Sequence, residues 1–204
     1  KHRPVGAMVG TSSLRRACQL LSIRPDLKIA QLRGNLDTRL RKLDEGQFDA
    51  IILAAAGVKR LGWSERITEI ISTEISLPAI GQGAIGIECR VDDEVIHRLI
   101  EPLNHIETSV CVRAERAFLK KLEGGCQVPI AAYAQLIEGR IMMDGLVGSV
   151  TGDRIIKGHI RGSTGDAEAL GITLAEDILS RGAKEILDEV YGRGEPPVNG
   201  NISS

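Results

Sequence analysis

The sequence lacks an excess of charge of either sign, a long apolar run, and closely spaced cysteines. Its 204 residues carry a net charge of -1, which gives no general attraction to nucleic acid or to an anionic membrane. No apolar stretch reaches the ~20 residues that span a bilayer, and no secretory segment follows residues 1–4. These absences favour a cytoplasmic globular protein with no nucleic-acid or membrane partner.

The cysteines and histidines also lack the spacing of a metal site. Cys18, Cys89, Cys111 and Cys126 lie far apart, without the close pairs of a zinc site or the density of a secreted disulfide scaffold. The four histidines show no ligand spacing either. We therefore interpret all four cysteines as reduced thiols and predict no metal site.

Residues 5–72 alternate between strand and helix patterns, which predicts an α/β domain with a parallel sheet. The predicted strands are residues 5–10, 27–32 and 48–54, and the predicted helices are residues 14–23, 36–44 and 57–61. Further along the chain, residues 85–89 alternate like a strand.

Basic residues follow the ends of all three predicted strands. Ligands of open parallel sheets bind beyond these ends, where helix N-termini offer free N–H groups. Helix starts normally prefer acidic side chains, so cations there indicate an anionic ligand with several carboxylates or phosphates. The first end holds Thr11, Ser13, Arg15 and Arg16, the second Arg33 and Arg39, and the third Lys59 and Arg60.

Other basic and glycine-rich segments are given simpler interpretations. Arg41, Lys42, Arg66 and Arg98 are interpreted as solvated surface charges. Residues 81–86, GQGAIG, fit the spacing of a dinucleotide fingerprint, but a strand pattern follows them where the fingerprint needs a helix. We therefore predict no nucleotide site there.

The second half of the chain predicts a small α+β domain. Residues 105–122 have the apolar spacing of an amphipathic helix, and residues 166–180 predict a closing helix. Between them, residues 128–137, 140–147 and 154–161 predict three strands of an antiparallel meander, joined by short turns.

A single cysteine, Cys126, lies in a glycine-containing loop between that first helix and the first strand of the meander. Isolated cysteines are most often inert small hydrophobic residues. Cys126 has no neighbouring histidine or basic residue that would activate a protease nucleophile. Together with the basic strand ends, it is better interpreted as the attachment point of an organic cofactor that carries anionic groups.

Four separated motifs together resemble the porphobilinogen deaminase family, also called hydroxymethylbilane synthase, and they span nearly the whole chain in the family's order. They are residues 9–16 (VGTSSLRR), 32–35 (LRGN), 77–84 (LPAIGQGA) and 123–129 (EGGCQVP).

The resemblance implies two of the three domains of that family. Residues 1–83 would be an anion-binding α/β domain similar to one lobe of a periplasmic binding protein. Residues 84–104 would cross toward a first domain, which we expect to be missing from this sequence, and residues 105–191 would form the cofactor-attachment domain. Residues 192–204, rich in glycine and proline, are predicted to be a disordered tail.

The resemblance also implies a transferase of tetrapyrrole (haem) biosynthesis, acting as a monomer. It would join four porphobilinogen molecules head to tail, releasing ammonia at each step, on a dipyrromethane cofactor bound to Cys126 as a thioether. The implied cofactor-binding residues are Thr11, Ser13, Arg15, Arg16, Arg33, Gly57 and Gln82, and the implied substrate-binding residues are Arg15, Arg39 and Arg60.

The family's catalytic aspartate belongs to the domain that we expect to be missing. Asp37, Asp44 and Asp49 have the patterns of helix-surface or turn residues, so none is assigned that role. The fragment alone is therefore predicted to be inactive. Two alternatives remain, a non-catalytic module that binds small anions and a purely structural α/β scaffold; a binding module would tolerate serine at position 126.

Overall fold

The computed structural model of the chain describes residues 4–124 and 128–192. Within these ranges six strands form two separate sheets of three, one parallel and one antiparallel. The strands are β1 (Met8–Gly10), β2 (Lys28–Ala30), β3 (Ala50–Ile51), β4 (Ile130–Ile137), β5 (Arg140–Gly148) and β6 (Ile155–Ser163). The helices are α1 (Leu14–Ile23), α2 (Leu36–Asp44), α3 (Ala55–Arg60), α4 (Glu94–Ile100), α5 (Ile106–Lys121), α6 (Ala167–Ile178) and α7 (Lys184–Tyr191). The predicted α/β class, with one parallel and one antiparallel sheet, is confirmed.

The parallel sheet has the strand order β2-β1-β3, so β1 is central and the other two strands are edges. All three predicted strands exist, but each is shorter than predicted. β2 ends at Ala30, and the N–H of Leu32, two residues later, donates to the hydroxyl of Ser12 (3.1 Å) where a ladder would continue. A strand can extend only as far as its neighbour supplies backbone partners.

The first two helices have the predicted bounds, because their caps are local. Ser13 caps α1 by accepting a hydrogen bond from the N–H of Arg16 (3.4 Å). Asn35 caps α2 by accepting from the N–H of Thr38 (2.8 Å). Each cap lies within three residues of the group that it satisfies, so a short stretch of sequence contains the whole signal.

The alternating pattern at residues 85–89 does not form a strand in the described residues. No residue of this segment joins either sheet of the described residues, and Ile85 is 92% exposed. Alternating apolar residues form a strand only when an adjacent strand satisfies their N–H and C=O groups. The chain becomes regular again at α4, which the sequence analysis did not predict and which Asp93 caps.

The antiparallel sheet is the predicted meander, with the strand order β4-β5-β6. Glu138 and Gly139, both with positive φ (49° and 74°), turn the chain between β4 and β5, as the primed hairpin turns require. Helices α5 and α6 contribute to its core, whose largest fully buried members include Phe118, Ile141 and Met143. Gly182 (φ 99°) then turns the chain into α7, a third helix that was not predicted.

We call residues 4–83 the parallel region and residues 105–192 the antiparallel region; their limits as domains stay a prediction. The two regions are in contact. A Cβ on Gly148 of β5 would lie 2.4 Å from the Sγ of Cys18 in α1, so a larger residue there would force the sulfur or the strand to shift. Nearby, Leu77 packs with Ala131 and Leu146 of the antiparallel sheet. The predicted tail from residue 193 onward lies outside the described residues.

Candidate functional site

The parallel region places the ends of β1 and β2 side by side, because the two strands run in the same direction. The Ser12 hydroxyl donates to the carbonyl of Leu32 (2.9 Å) and accepts from its N–H (3.1 Å), which ties the two strand ends together. Thr11 is buried, and its hydroxyl accepts from the N–H of Ser13 (3.2 Å). Thr11 and Ser13, both predicted to bind cofactor, therefore also shape the turn that leads into α1.

The two arginines that open α1 reach different parts of the site. Arg15 donates from Nη1 to the carbonyl of Leu77 (2.6 Å) and from Nη2 to Oε1 of Gln82 (3.2 Å). Arg16 donates from Nη1 to the carbonyl of Ile52 (3.1 Å), directly after β3. All of these acceptors are neutral, so both guanidinium charges remain without an acidic counterpart in these contacts.

The electrostatics of this pair are unfavourable without a ligand. Burial, together with the charge of Arg16, lowers the pKa of Arg15 to about 10. Burial, together with the charge of Arg39, lowers the pKa of Arg16. Within residues 4–124 and 128–192, no acidic side chain forms an ion pair with Arg15, Arg16 or Arg39. An anion bound here would relieve the mutual repulsion of these arginines.

The turn after β2 presents two further predicted residues. Gly34 has φ of 118°, and a Cβ on it would lie 2.8 Å from Cγ2 of Thr38, so this turn requires glycine. Arg39, in the first turns of α2, donates from Nε to the carbonyl of Gly34 (2.8 Å). The side chain of Arg33 is exposed, and its backbone carbonyl accepts from Nζ of Lys42 (3.3 Å). The exposed side chain of Arg33 is therefore accessible to a ligand.

The third strand end differs from the prediction. Helix α3 begins at Ala55, so Gly57 lies in its first turn and Lys59 and Arg60 lie in its last. The negative end of the helix dipole favours cations there, so these two residues need no anion to explain their position. The argument that placed Arg60 at a helix start was therefore wrong, and its role in binding substrate stays a prediction.

The side chain of Gln82 links Arg15 to the backbone of its own loop. Its Oε1 accepts from Arg15 and also from the N–H of Ala79 (3.0 Å). Gly81 and Gly83, which flank it, both have positive φ (65° and 98°). No helix opens through this glycine string, and the next one begins only at Glu94, so the structure lacks the helix that a dinucleotide fingerprint requires.

Two buried polar residues near the site were missed by the sequence analysis. Gln19 of α1, which is 3% exposed, donates to the carbonyl of Leu77 (3.1 Å) and accepts from its N–H (2.7 Å). Glu115 of α5, which is 5% exposed, accepts from the N–H groups of Gly81 (2.6 Å) and Ala134 (2.8 Å). The position of Glu115, four residues after Cys111 and beside Ala114, could have revealed a carboxylate on the buried face of a helix.

Cys126 lies outside the described residues, but the chain on both sides of it is defined. Helix α5 ends at Lys121 and β4 begins at Ile130, so eight residues connect them. A Cβ on Gly124 would lie 2.4 Å from Cδ1 of Ile130 and 2.6 Å from Cδ1 of Leu119, so a larger residue near the start of this connection would require these side chains to move. The carbonyl of Glu123 accepts from the hydroxyl of Tyr191 in α7 (3.0 Å). The antiparallel region thus holds both ends of the cysteine loop.

The other three cysteines lie within the described residues. Cys18, Cys89 and Cys111 are free thiols, and burial raises the pKa of Cys18 to about 11. In the described part of the chain, no cluster of histidine, cysteine and acidic side chains is placed to hold a metal ion. None of the helices found in the described residues is long and apolar enough to cross a membrane.

Comparison with protein families gives two matches, one for each region. Residues 1–98 match the model described as porphobilinogen deaminase, dipyromethane cofactor binding domain. Residues 109–180 match the model described as porphobilinogen deaminase, C-terminal domain. The first match includes the arginines at the strand ends, and the second includes Cys126.

Proposed function

Because this chain belongs to the porphobilinogen deaminase family, the hydroxymethylbilane synthases, which are transferases of tetrapyrrole biosynthesis, we propose that its two regions divide the work of that reaction. The family implies porphobilinogen as substrate and dipyrromethane as cofactor. The antiparallel region anchors dipyrromethane through a thioether on Cys126. The parallel region binds the carboxylates of cofactor and substrate with its arginines.

The observation that carries this proposal is the pair Arg15 and Arg16, half-buried at one helix start without an acidic partner among the described residues. Dipyrromethane carries acetate and propionate groups, whose carboxylates match the planar, two-pronged donor pattern of guanidinium. Both arginines also sit at a helix N-terminus, where free N–H groups favour an anion. The donor set of this chain therefore fits the cofactor that its family uses.

Each proposed residue has a definite task. Arg15 and Arg16 bind and orient carboxylates, and Arg33 and Arg39 extend the positive charge along the end of β2. Thr11 and Ser13 hold the turn before α1 and can offer hydroxyl contacts. Gly57 lies in the exposed first turn of α3, where its backbone can approach a ligand, and Gln82 fixes the direction of Arg15. Arg60 is proposed as a more peripheral contact to substrate.

When bound, dipyrromethane supplies the pyrrole primer on which porphobilinogen units are joined head to tail. By binding the carboxylates of cofactor and substrate, these residues would hold the two reactants next to each other. The reaction then avoids most of the entropy cost of bringing two free molecules together. Half-buried guanidinium groups at fixed positions would also favour one orientation of the substrate carboxylates over the reversed one. These residues supply binding and orientation, whereas proton transfer requires another group.

We further propose that the catalytic carboxylate lies outside these 204 residues, so that this chain alone has no deaminase activity. The aspartates considered in the parallel region have other positions or partners. Asp44 forms an ion pair with Arg66 (2.6 Å), Asp49 accepts from the N–H of Met8 (2.7 Å), and Asp37 is exposed in the first turn of α2. Measurable turnover by the purified chain would contradict this part of the proposal.

The free thiols support a reducing compartment, and we propose a cytoplasmic monomer. Size-exclusion chromatography with light scattering would test the monomer, and a mass of two chains would contradict it. Localisation of a tagged protein would test the compartment.

The attachment to Cys126 is tested by the intact mass of the protein purified under native conditions, followed by peptide mapping. We expect an added mass of two pyrrole units on the peptide that contains Cys126 and none on that of Cys89, which is partly exposed and serves as the control thiol. A Cys126→Ser variant should lack the adduct. An unmodified Cys126 in active enzyme would overturn the thioether, and anion binding without any adduct or turnover in the complete enzyme would favour the non-catalytic binding module.

A further inference from the structure

One buried acidic residue, Glu115, is not used by the proposed reaction but contacts both regions of the molecule. It lies in the middle of α5 and is nearly inaccessible to solvent. One carboxylate oxygen accepts from the N–H of Gly81, which belongs to the parallel region (2.6 Å). The other accepts from the N–H of Ala134 in β4 of the antiparallel region (2.8 Å). A single side chain therefore fixes the distance between a loop of one region and a strand of the other.

The loop that Glu115 holds is the same loop that holds Arg15. Its first residue, Leu77, is fixed through both its N–H and its carbonyl by the buried amide of Gln19. Glu115 fixes the loop four residues later, at Gly81. Between and beside these two points, the carbonyl of Leu77 and the side chain of Gln82 receive the two hydrogen bonds from the guanidinium of Arg15. The direction of Arg15 is thus defined by a loop fastened at two places.

A purely structural role does not explain why this buried group is a carboxylate. Burial raises the pKa of Glu115, whereas the N–H groups of Gly81 and Ala134 lower it, so these two contacts favour the ionised form that burial disfavours. One polar group would suffice to satisfy the N–H of Ala134 on the edge strand β4. The two-oxygen carboxylate is the group that satisfies both N–H donors at once.

We propose that Glu115 is a positioning residue for Arg15, and that it couples the helix leading to the Cys126 loop with the anion-binding end of the parallel region. Helix α5 ends five residues before Cys126, so a shift of this helix relative to the loop would move the cofactor anchor and the guanidinium apart. Glu115 prevents that shift without touching cofactor or substrate. This inference rests on the proposed function, because it assumes that Arg15 binds a carboxylate.

The test is a double-mutant cycle in the complete, cofactor-loaded enzyme that contains this chain. Glu115→Gln keeps the size of the side chain, but its NH₂ group faces one of the two N–H donors and cannot accept from it. We expect Glu115→Gln to raise the KM for porphobilinogen about tenfold, since small displacements of a positioning group have large effects on reaction geometry. Glu107→Gln, an exposed change in the first turn of the same helix, is the matched control and should leave KM unchanged.

The cycle is completed with Arg15→Lys, which keeps the charge but loses the two-pronged contact. If Glu115 acts through Arg15, Glu115→Gln should add less than about a further twofold to the KM of the Arg15→Lys enzyme. A purely structural role predicts a different pattern, with a lower melting temperature in both backgrounds and an unchanged KM. That pattern, or full multiplication of the two KM effects, would overturn the inference. If Arg15→Lys itself changes neither KM nor cofactor content, the proposed function fails instead.

A measurement that needs no variant keeps the inference testable should Glu115→Gln fail to fold. Amide hydrogen exchange should show the N–H of Gly81 strongly protected relative to that of Gly83, which is exposed in the same turn. Equal exchange at the two glycines would mean that the contact does not exist and would overturn the inference. Glu115→Asp keeps the charge but shortens the side chain, so it should give a smaller rise in KM than Glu115→Gln.

Discussion

The two regions of this molecule are built with very different strand lengths and cores. In the parallel region the strands have three, three and two residues, and the ends of these strands are polar and basic. In the antiparallel region the strands have eight, nine and nine residues, and one large apolar cluster lies between the sheet and its helices. The difference indicates that the antiparallel region supplies most of the stabilising burial, while the strand ends of the parallel region form the proposed binding site.

This division has a physical reason. Half-buried guanidinium groups that repel each other destabilise the fold that contains them, and the lowered pKa values of Arg15 and Arg16 reflect that cost. Such a site is stable only when packing elsewhere offsets the cost. Here a contact surface, the seam, joins the two regions through Cys18, Gly148 and Leu77. The core of the antiparallel region can therefore stabilise the parallel region. Four experiments test this difference between the two regions.

The largest expected effect comes from the antiparallel core. Phe118 of α5 is fully buried in the apolar cluster, so Phe118→Ala should lower the free energy of unfolding by about 3–5 kcal/mol through lost burial and a cavity. Denaturant unfolding measures the change. Ile172→Ala, at an exposed site on α6, is the control and should cost less than about 1 kcal/mol. Similar losses for both variants would contradict the central role of this core.

The second prediction separates binding from stability in the parallel region. Arg16→Ala should weaken binding of the carboxylate-bearing substrate by about 2 kcal/mol, the low end for a charge pair because the side chain is partly exposed. The free energy of unfolding should change by less than about 1 kcal/mol, because a lost hydrogen bond to Ile52 is balanced by relief from Arg39. The KM for porphobilinogen and thermal melting measure the two quantities.

Arg41→Ala is the matched control for Arg16→Ala. Arg41 is an exposed cation of α2 near Glu45 (3.9 Å), and its removal should change neither KM nor melting temperature measurably. An Arg16 variant that melts much earlier but binds normally would reverse the assignment of roles to the two regions.

The third prediction concerns the seam between the regions. Gly148→Ala would place a methyl group 2.4 Å from the Sγ of Cys18, so it should cost about 1–3 kcal/mol of stability. Cys18→Ala removes that sulfur, and the cost of Gly148→Ala should therefore be smaller in the Cys18→Ala background. A contact with Cγ1 of Ile155 (3.1 Å) keeps the rescue incomplete. Thermal melting of the four proteins gives the coupling, and strictly additive effects would show that the two positions do not share a contact.

The smallest predicted effect is a change in acid stability at the turn that contacts α1. Hydrogen bonds from the hydroxyls of Ser149 and Thr151 lower the pKa of Asp153 from 3.8 to about 2. A lowered folded-state pKa stabilises the protein above pH 3.8, and this contribution is lost as the pH falls from about 4 to about 2. Asp153→Asn should therefore reduce the dependence of the melting temperature on pH between these pH values, and Thr151→Val should reduce it partly. An unchanged acid profile in both variants would contradict the assignment.

Much of the fold could be predicted because its signals are local. Ser13 and Asn35 begin α1 and α2 with contacts that reach only three residues ahead, and both helices have the predicted bounds. The antiparallel meander followed from alternation and from the Glu138 and Gly139 turn. Whether the strand pattern at residues 85–89 forms a strand depends on a neighbour, and it finds no partner in the described structure. The start of α3 was predicted two residues too late.

The sequence alone determined the family, the basic strand ends, and the presence of a cysteine among glycines, because these are matters of residue type and order. Only the tertiary structure showed that Arg15 is held by Leu77 and Gln82, more than sixty positions away, and that Glu115 fastens the same loop. It also showed that Arg60 lies at a helix end that already favours cations. The physical reason is range: a cap is satisfied within one helical turn, whereas the direction of a guanidinium depends on acceptors that folding brings from distant parts of the chain.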